Sequence, residues 1–221
     1  MRSLLTLAFL CFHFFSFSQI SMIELDEKPV PEPITRDSAV DNWNLAQPGF
    51  QKLPNEAKQL LYWTNYARNN PGKFWDSVVV PVLNSFKPLN TSEAISLKKD
   101  LFRVGKLPMF VLNETLVGTA QAHASDIGRK KAPLSHTSTN GTDFGTRIKK
   151  AGIRYCANEN ISLSSQSVLL SLVLLYLDIH LPDQGHRKTL LDMNLREIGI
   201  GSSLYGSNQY FLVQDFACAQ Q

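Results

Sequence analysis

The chain has 221 residues, of which 43% are hydrophobic and 19% charged, with a formal net charge of +3 at pH 7. That length supports one domain with a full core and some additional chain, and the composition is that of an ordinary soluble globular protein. The charge is too small to argue for a nucleic-acid partner, and Arg129-Lys130-Lys131 and Lys149-Lys150 read as solvated helix ends.

The N-terminus has the pattern of a secretory signal spanning 1–18. Arg2 precedes an apolar run from Leu4 to Phe17, and Ser16-Phe17-Ser18 offers small residues for cleavage before Gln19. The run is too short for a transmembrane helix, which needs about 20 apolar residues. Leu10 before Cys11 argues against lipoprotein attachment. Residues 19–55, with Pro31, Pro33, Pro48 and Pro54, are expected to form an extended arm, leaving 56–218 as the domain.

Ala57, Leu60, Leu61 and Thr64 share one helical face, and Asn69-Asn70-Pro71 stops that helix. Phe74, Val78, Val82 and Phe86 predict a second helix kinked at Pro81. Residues 87–111 read as a long connection ending in the apolar run Met109-Phe110-Val111. Asn113 is placed to cap a helix carrying Leu116, Ala120, Ala124 and Ile127, closed by Pro133. A shorter helix, Phe144 to Lys150, ends at Gly152. Arg154 to Ile161 predicts a strand, and Ser165 to Leu181 an apolar helix covered on most sides. Glu197 to Leu204 and Gln209 to Ala217 are strands joined at Tyr205-Gly206-Ser207-Asn208, a hairpin signal. Helices preceding a late hairpin indicate an α+β domain. Once the signal is removed, Cys156 and Cys218 remain. In an oxidising compartment such a pair suggests a disulfide, the alternative being two buried thiols.

Four short segments carry the chemistry: Ser135-His136-Thr137, Asn158-Glu159-Asn160-Ile161, Gly185-His186-Arg187 and Gln214-Asp215-Phe216-Ala217. With Asn65-Tyr66-Ala67-Arg68, Asn70-Pro71, Ala120-Gln121-Ala122-His123-Ala124 and Glu197-Ile198-Gly199-Ile200-Gly201, this ordered set resembles the CAP superfamily. That superfamily comprises cysteine-rich secretory proteins, antigen 5 and plant pathogenesis-related proteins (also called SCP-like), and the likeness is nearest its secreted bacterial branch. The resemblance implies a three-layer α-β-α sandwich with a small central antiparallel sheet. It also implies a cleft with a tetrad of two histidines and two acids, here His136, His186, Glu159 and Asp178. The chain departs from the family's pattern at Ile179, where related bacterial sequences carry a second Asp, and at Thr189, where Asn is usual. It also lacks the dense disulfides of animal members.

Two neutral imidazoles can hold a divalent ion at about 2.0–2.1 Å with water completing the shell. His136 and His186 are therefore the expected ligands for Zn2+ or another divalent metal, with Glu159 and Asp178 orienting them. Occupancy should fall in acid, because ligation needs the neutral ring. The competing reading is a polar network tying the loop at 136 to the helix at 186. His123 is expected to be a packed, hydrogen-bonded residue, His180 to face solvent or the cleft rim, and Tyr155 and Phe216 to pack on the sheet.

The resemblance implies a secreted, extracellular or periplasmic binding or effector module, acting as a monomer on a lipid or sterol, cell-wall or surface ligand. A metal-assisted, peptidase-like hydrolase using the same tetrad is the alternative, although no His-Glu-x-x-His or Gly-x-Ser-x-Gly motif is present. A wall-associated structural protein tethered by the arm is a third reading.

Overall fold

The computed structural model describes residue 23 and residues 25–164 and 167–220; the signal expected at 1–18 lies outside them. Four strands run β1 (Val111–Leu112), β2 (Ala157–Ser164), β3 (Leu195–Leu204) and β4 (Tyr210–Cys218), ordered β1-β3-β4-β2 across the sheet. β3 and β4 form the expected hairpin, closed where the Tyr205 N–H donates to the Gln209 carbonyl at 2.8 Å. β2 lies antiparallel to β4, with Glu159 opposite Asp215. The sheet is not wholly antiparallel, because β1 pairs parallel with β3 at its far edge. β1 arrives from the helical N-terminal half and enters a helix at once, so a two-residue parallel contact is all it makes.

The segment expected to be an extended arm instead folds at its end into helix α1 (Ser38–Leu45). Asp37 caps it, accepting from Ala39 N–H and Val40 N–H, and Val40 and Asn44 bury one face. Pro33 lies before this stretch and Pro48 after it, so no proline falls inside the helix. α2 (Asn55–Asn69) follows as predicted. The second predicted helix is divided into α3 (Pro71–Phe74), a π-helical turn (Trp75–Val79) and α4 (Val80–Ser85). Pro81 has no N–H to close an ordinary turn, and the irregularity falls upstream of it, where Val80 N–H reaches the Trp75 carbonyl.

Residues 87–111 are not a bare connection: they contain α5 (Ser92–Val104), with Ala94, Leu97 and Leu101 buried. α6 (Glu114–Lys130) is capped by Asn113 as expected, but stops at Lys131 (φ 50°), before Pro133 is reached. α7 (Phe144–Lys150) starts at the Asp143 cap and closes at Gly152 (φ 85°), as predicted. α8 (Val168–Leu177) is buried on nearly every side and ends earlier than expected, and α9 (Gly185–Leu191) follows it.

Helices cover both faces of the sheet. α6 lies on one, so close that a Cβ on Gly199 would stand 2.0 Å from the Leu116 carbonyl carbon, and one on Gly201 2.4 Å from Ala120. α7 joins that layer through Ile148, beside Ala157 and Ala217. α2 and α8 fill the other face against Ile198, Ile200, Leu212 and Phe216, in the largest cluster of apolar side chains. Cys156 and Cys218 are bridged, with Cα atoms 5.5 Å apart and a sequence separation of 62. Phe216 packs in the core as expected, whereas Tyr155, just ahead of β2, is exposed.

Candidate functional site

His136 sits in the loop between α6 and α7, and its position is fixed by two residues. Its Nδ1 lies 2.8 Å from Glu159 Oε1, and its carbonyl accepts from Arg147 at 2.7 Å. The other Glu159 oxygen accepts from Arg147 Nη2 at 2.5 Å. Glu159 is thus a buried carboxylate with both oxygens engaged. Burial pushes its pKa up, but the His136 hydrogen bond and the Arg147 charge outweigh that and hold it below the usual carboxylate range. Further along the loop, Asp126 takes the Thr139 N–H at 2.7 Å, clasping the chain to α6.

His186 opens α9, and its Nδ1 lies 2.5 Å from Asp178 Oδ1. Asp178 was expected within the apolar helix; instead it terminates α8 in the left-handed region at φ 50°. That turn aims its carboxylate at α9, where its second oxygen accepts the Arg187 N–H at 2.9 Å. Arg187 is itself fully buried. It donates to the carbonyls of Tyr176, Leu177 and Glu93, to Ser96 Oγ and to Asp100. Arg68 of α2 donates to the carbonyls of Leu190 and Asp192 at the other end of α9. The segments Asn65–Arg68 and Gly185–Arg187 therefore act together: the arginines fix a helix, and the histidine rides on it.

Both histidines line one cleft of about 850 Å³. Ser135 to Thr137 with the start of α7 form one wall, Leu181 to Asp192 supply the other, and Ala157 to Asn160 of β2 lie between them. The structure thus brings His136, Glu159 and His186 to the cleft, with Asp178 behind His186. The arrangement is two separate histidine–carboxylate pairs. The carboxylates are buried (side chains 1% exposed each), while the imidazoles reach the cleft at 31% and 16% exposure. The expected link between the two walls is real but indirect. It runs through β2, where Asn158 donates to Thr189 Oγ1 at 3.2 Å and Asn160 to the His186 carbonyl at 3.4 Å.

The donor set suits a cation in one respect. A proton on Nδ1 shared with a carboxylate leaves Nε2 as the lone-pair nitrogen, the usual arrangement behind metal-ligating histidines. Neither Nε2 has a protein hydrogen-bond partner among the described residues. Among those residues, however, no group of three or more His, Cys, Asp or Glu side chains is suited to a metal ion. The chain therefore offers two imidazoles, and water would have to complete the shell.

Arg147 and Asp215 belong to this site although the tetrad does not include them. Asp215 is fully buried, and one oxygen accepts from Thr119 Oγ1 at 2.6 Å. Burial, then the negative charge of Glu159, raise its pKa well above the ordinary carboxylate value. His123 is packed and hydrogen-bonded as expected, to Ser138 Oγ and the Ser135 carbonyl, and burial lowers its pKa. His180 is exposed in the turn after α8, also as expected.

Residues 61–216 match the model of the CAP family, described as the cysteine-rich secretory protein family. No curated protein matches the chain. Among solved structures, an extracellular SCP-domain protein of Bacillus anthracis is 19% identical, with a TM-score of 0.47 over 78% of this chain and 44% of that one. An outer surface protein of Borrelia burgdorferi is 22% identical, with a TM-score of 0.42 over 61% of this chain and 92% of its own. A cysteine-rich secretory protein of Staphylococcus aureus is 16% identical, with a TM-score of 0.37 over 57% of this chain and 38% of its own. The chain spans less than half the length of the Bacillus anthracis protein. With the family model covering most of its length and the ordered motifs converging on one cleft, the chain belongs to the cysteine-rich secretory protein (CAP) family.

Proposed function

We propose that this CAP domain is a secreted binding module whose cleft holds a divalent cation, zinc in the first instance, through Nε2 of His136 and His186. The observation that carries this is the matched pair of imidazoles, each held at Nδ1 by a buried carboxylate and each bordering the same cleft. Glu159 and Asp178 orient the rings and fix which nitrogen stays free, and Arg147 keeps Glu159 ionised. A bound ion would supply a Lewis-acidic point for an oxygen of the ligand. The ligand class is a wall, surface or lipid component outside the cell. The signal at 1–18 and the disulfide support export, since such bridges persist in oxidising compartments.

Binding is favoured over a hydrolase by the state of the acids. Both oxygens of Glu159 are occupied by His136 and Arg147, and both of Asp178 by His186 and the Arg187 N–H, so neither carboxyl of the tetrad is poised to trade a proton with a substrate. Calorimetric titration of zinc tests the reading. The wild type should bind, and His136→Ala and His186→Ala should each weaken affinity by at least about ten-fold. Equal affinity in all three proteins would remove the metal from the site.

A further inference from the structure

Four consecutive residues of β2, Ala157 to Asn160, line the cleft. Successive strand residues point to opposite faces, so a cleft touching all four lies along the edge of the strand, not over one face. The ladder shows what that edge presents. Cys218 N–H donates to the Cys156 carbonyl at 3.0 Å, which sets the alternation of the antiparallel pair. Residues 156, 158 and 160 therefore turn their backbone groups toward β4, whereas Ala157 and Glu159 turn theirs outward. The hairpin gives the same answer independently. The Tyr205–Gln209 bond makes Gly199 and Asp215 a hydrogen-bonded pair, so Asp215 faces β3 and its other neighbour, Glu159, faces away.

No strand lies beyond β2 in the sheet order. Among the described residues, no loop or side-chain hydrogen bond reaches the N–H or carbonyl of Ala157 or Glu159. These groups sit two residues apart, about 7 Å, the repeat an incoming strand needs. The edge is also flanked. The Glu159 side chain ties it to the His136 wall, and Asn158 and Asn160 tie it to the His186 wall.

We infer that the cleft receives an extended polypeptide segment, which adds as a further strand to the outer edge of β2 by pairing with the backbone of Ala157 and Glu159. Strand addition of this kind draws affinity from main-chain hydrogen bonds and selectivity from the flanking side chains. Here Asp143, Asp183 and Asp192 line the cleft against a single Lys188, so the segment carries basic side chains. Walls on both sides recess the edge, which admits a single free strand and keeps the edge of a second folded copy away. The inference rests on the cleft being a binding site and narrows its ligand to a peptide.

The experiment titrates 15N-labelled, zinc-free protein with a pool of capped hexapeptides bearing Lys or Arg at alternating positions. Shifts should centre on residues 157–160, and amide exchange at Ala157 and Glu159 should slow by about ten-fold or more. Methylating alternate peptide nitrogens should weaken binding by about ten-fold, since it removes the main-chain hydrogen bonds to the strand edge. Ala157→Pro removes an outward donor without touching a ladder bond and should weaken binding similarly while leaving zinc affinity unchanged. Equal binding by methylated peptides, no shifts along β2, or protection of the same amides through a dimer of this chain would each overturn the inference. Because the peptide titrations are run without zinc, a failed zinc titration leaves this result standing, and a silent peptide pool overturns the inference while leaving the zinc reading standing.

Discussion

Glu159 and Asp215 face each other across β2 and β4 at a position without ladder hydrogen bonds, where opposed side chains come closest. Two carboxyls so placed cannot both ionise cheaply, and Arg147 decides which one does. Asp215 keeps its proton in the native state to a pH at which the unfolded chain, titrating near 3.9, has released it. The native state then binds more protons, so stability falls as pH rises from about 4 through the raised native value. Asp215→Asn removes that penalty. Thermal unfolding should show a higher Tm than wild type at pH 8 and no difference at pH 3.5. Arg147→Met acts oppositely, leaving the Glu159 charge buried and unmatched; urea unfolding should report a loss of about 3 kcal/mol, partly restored by adding Glu159→Gln. His136, Glu159, Asp178 and His186 were legible because they stand in recognisable segments in a fixed order. Arg147 was not, because a lone arginine in a short helix looks like surface until the fold turns it inward. Asp215 stood in a segment that attracted notice, but only strand register reveals that it opposes Glu159.

The contact of α6 with β3 is made backbone to backbone. Gly199 and Gly201 leave no room for a side chain under Leu116 and Ala120, and a methyl group at either position would push the helix off the sheet. Gly201→Ala should therefore cost about 3 kcal/mol in chemical denaturation, at the upper end of ordinary overpacking because the obstructing atoms are main chain. α6, with a cap and a full apolar stripe, and α7, closed by Gly152, could be read from the chain to within a few residues. α5 escaped notice because its buried stripe is only Ala94, Leu97 and Leu101, diluted by charged neighbours and an exposed Ile95 and Phe102. α1 was hidden by the prolines before it, although Asp37, Val40 and Asn44 carry a cap and a buried face. The parallel pairing of β1 depends on two residues meeting a distant strand, which local pattern does not record.

For the molecule as a whole, the layered arrangement followed from helices placed before a late hairpin, while the two-walled cleft needed the fold itself. The Cys156–Cys218 bridge closes a loop of about 62 residues that holds β2 and the Leu181–Asp192 wall of the cleft, and a loop of that length is worth about 4 kcal/mol in the chain-entropy model. The double substitution Cys156→Ala, Cys218→Ala should lower urea stability by up to that amount, with the midpoint falling more than the slope changes. Arg187 carries a different consequence. Its guanidinium spends its hydrogens on α5 and the end of α8, neither of which lines the cleft, yet it adjoins His186 in the chain. The posture of one imidazole is therefore set by a remote scaffold. Damage to residues 93–100 would displace that ring while the β-framework stayed whole, a failure visible at the mouth of the cleft before the protein's centre gives way.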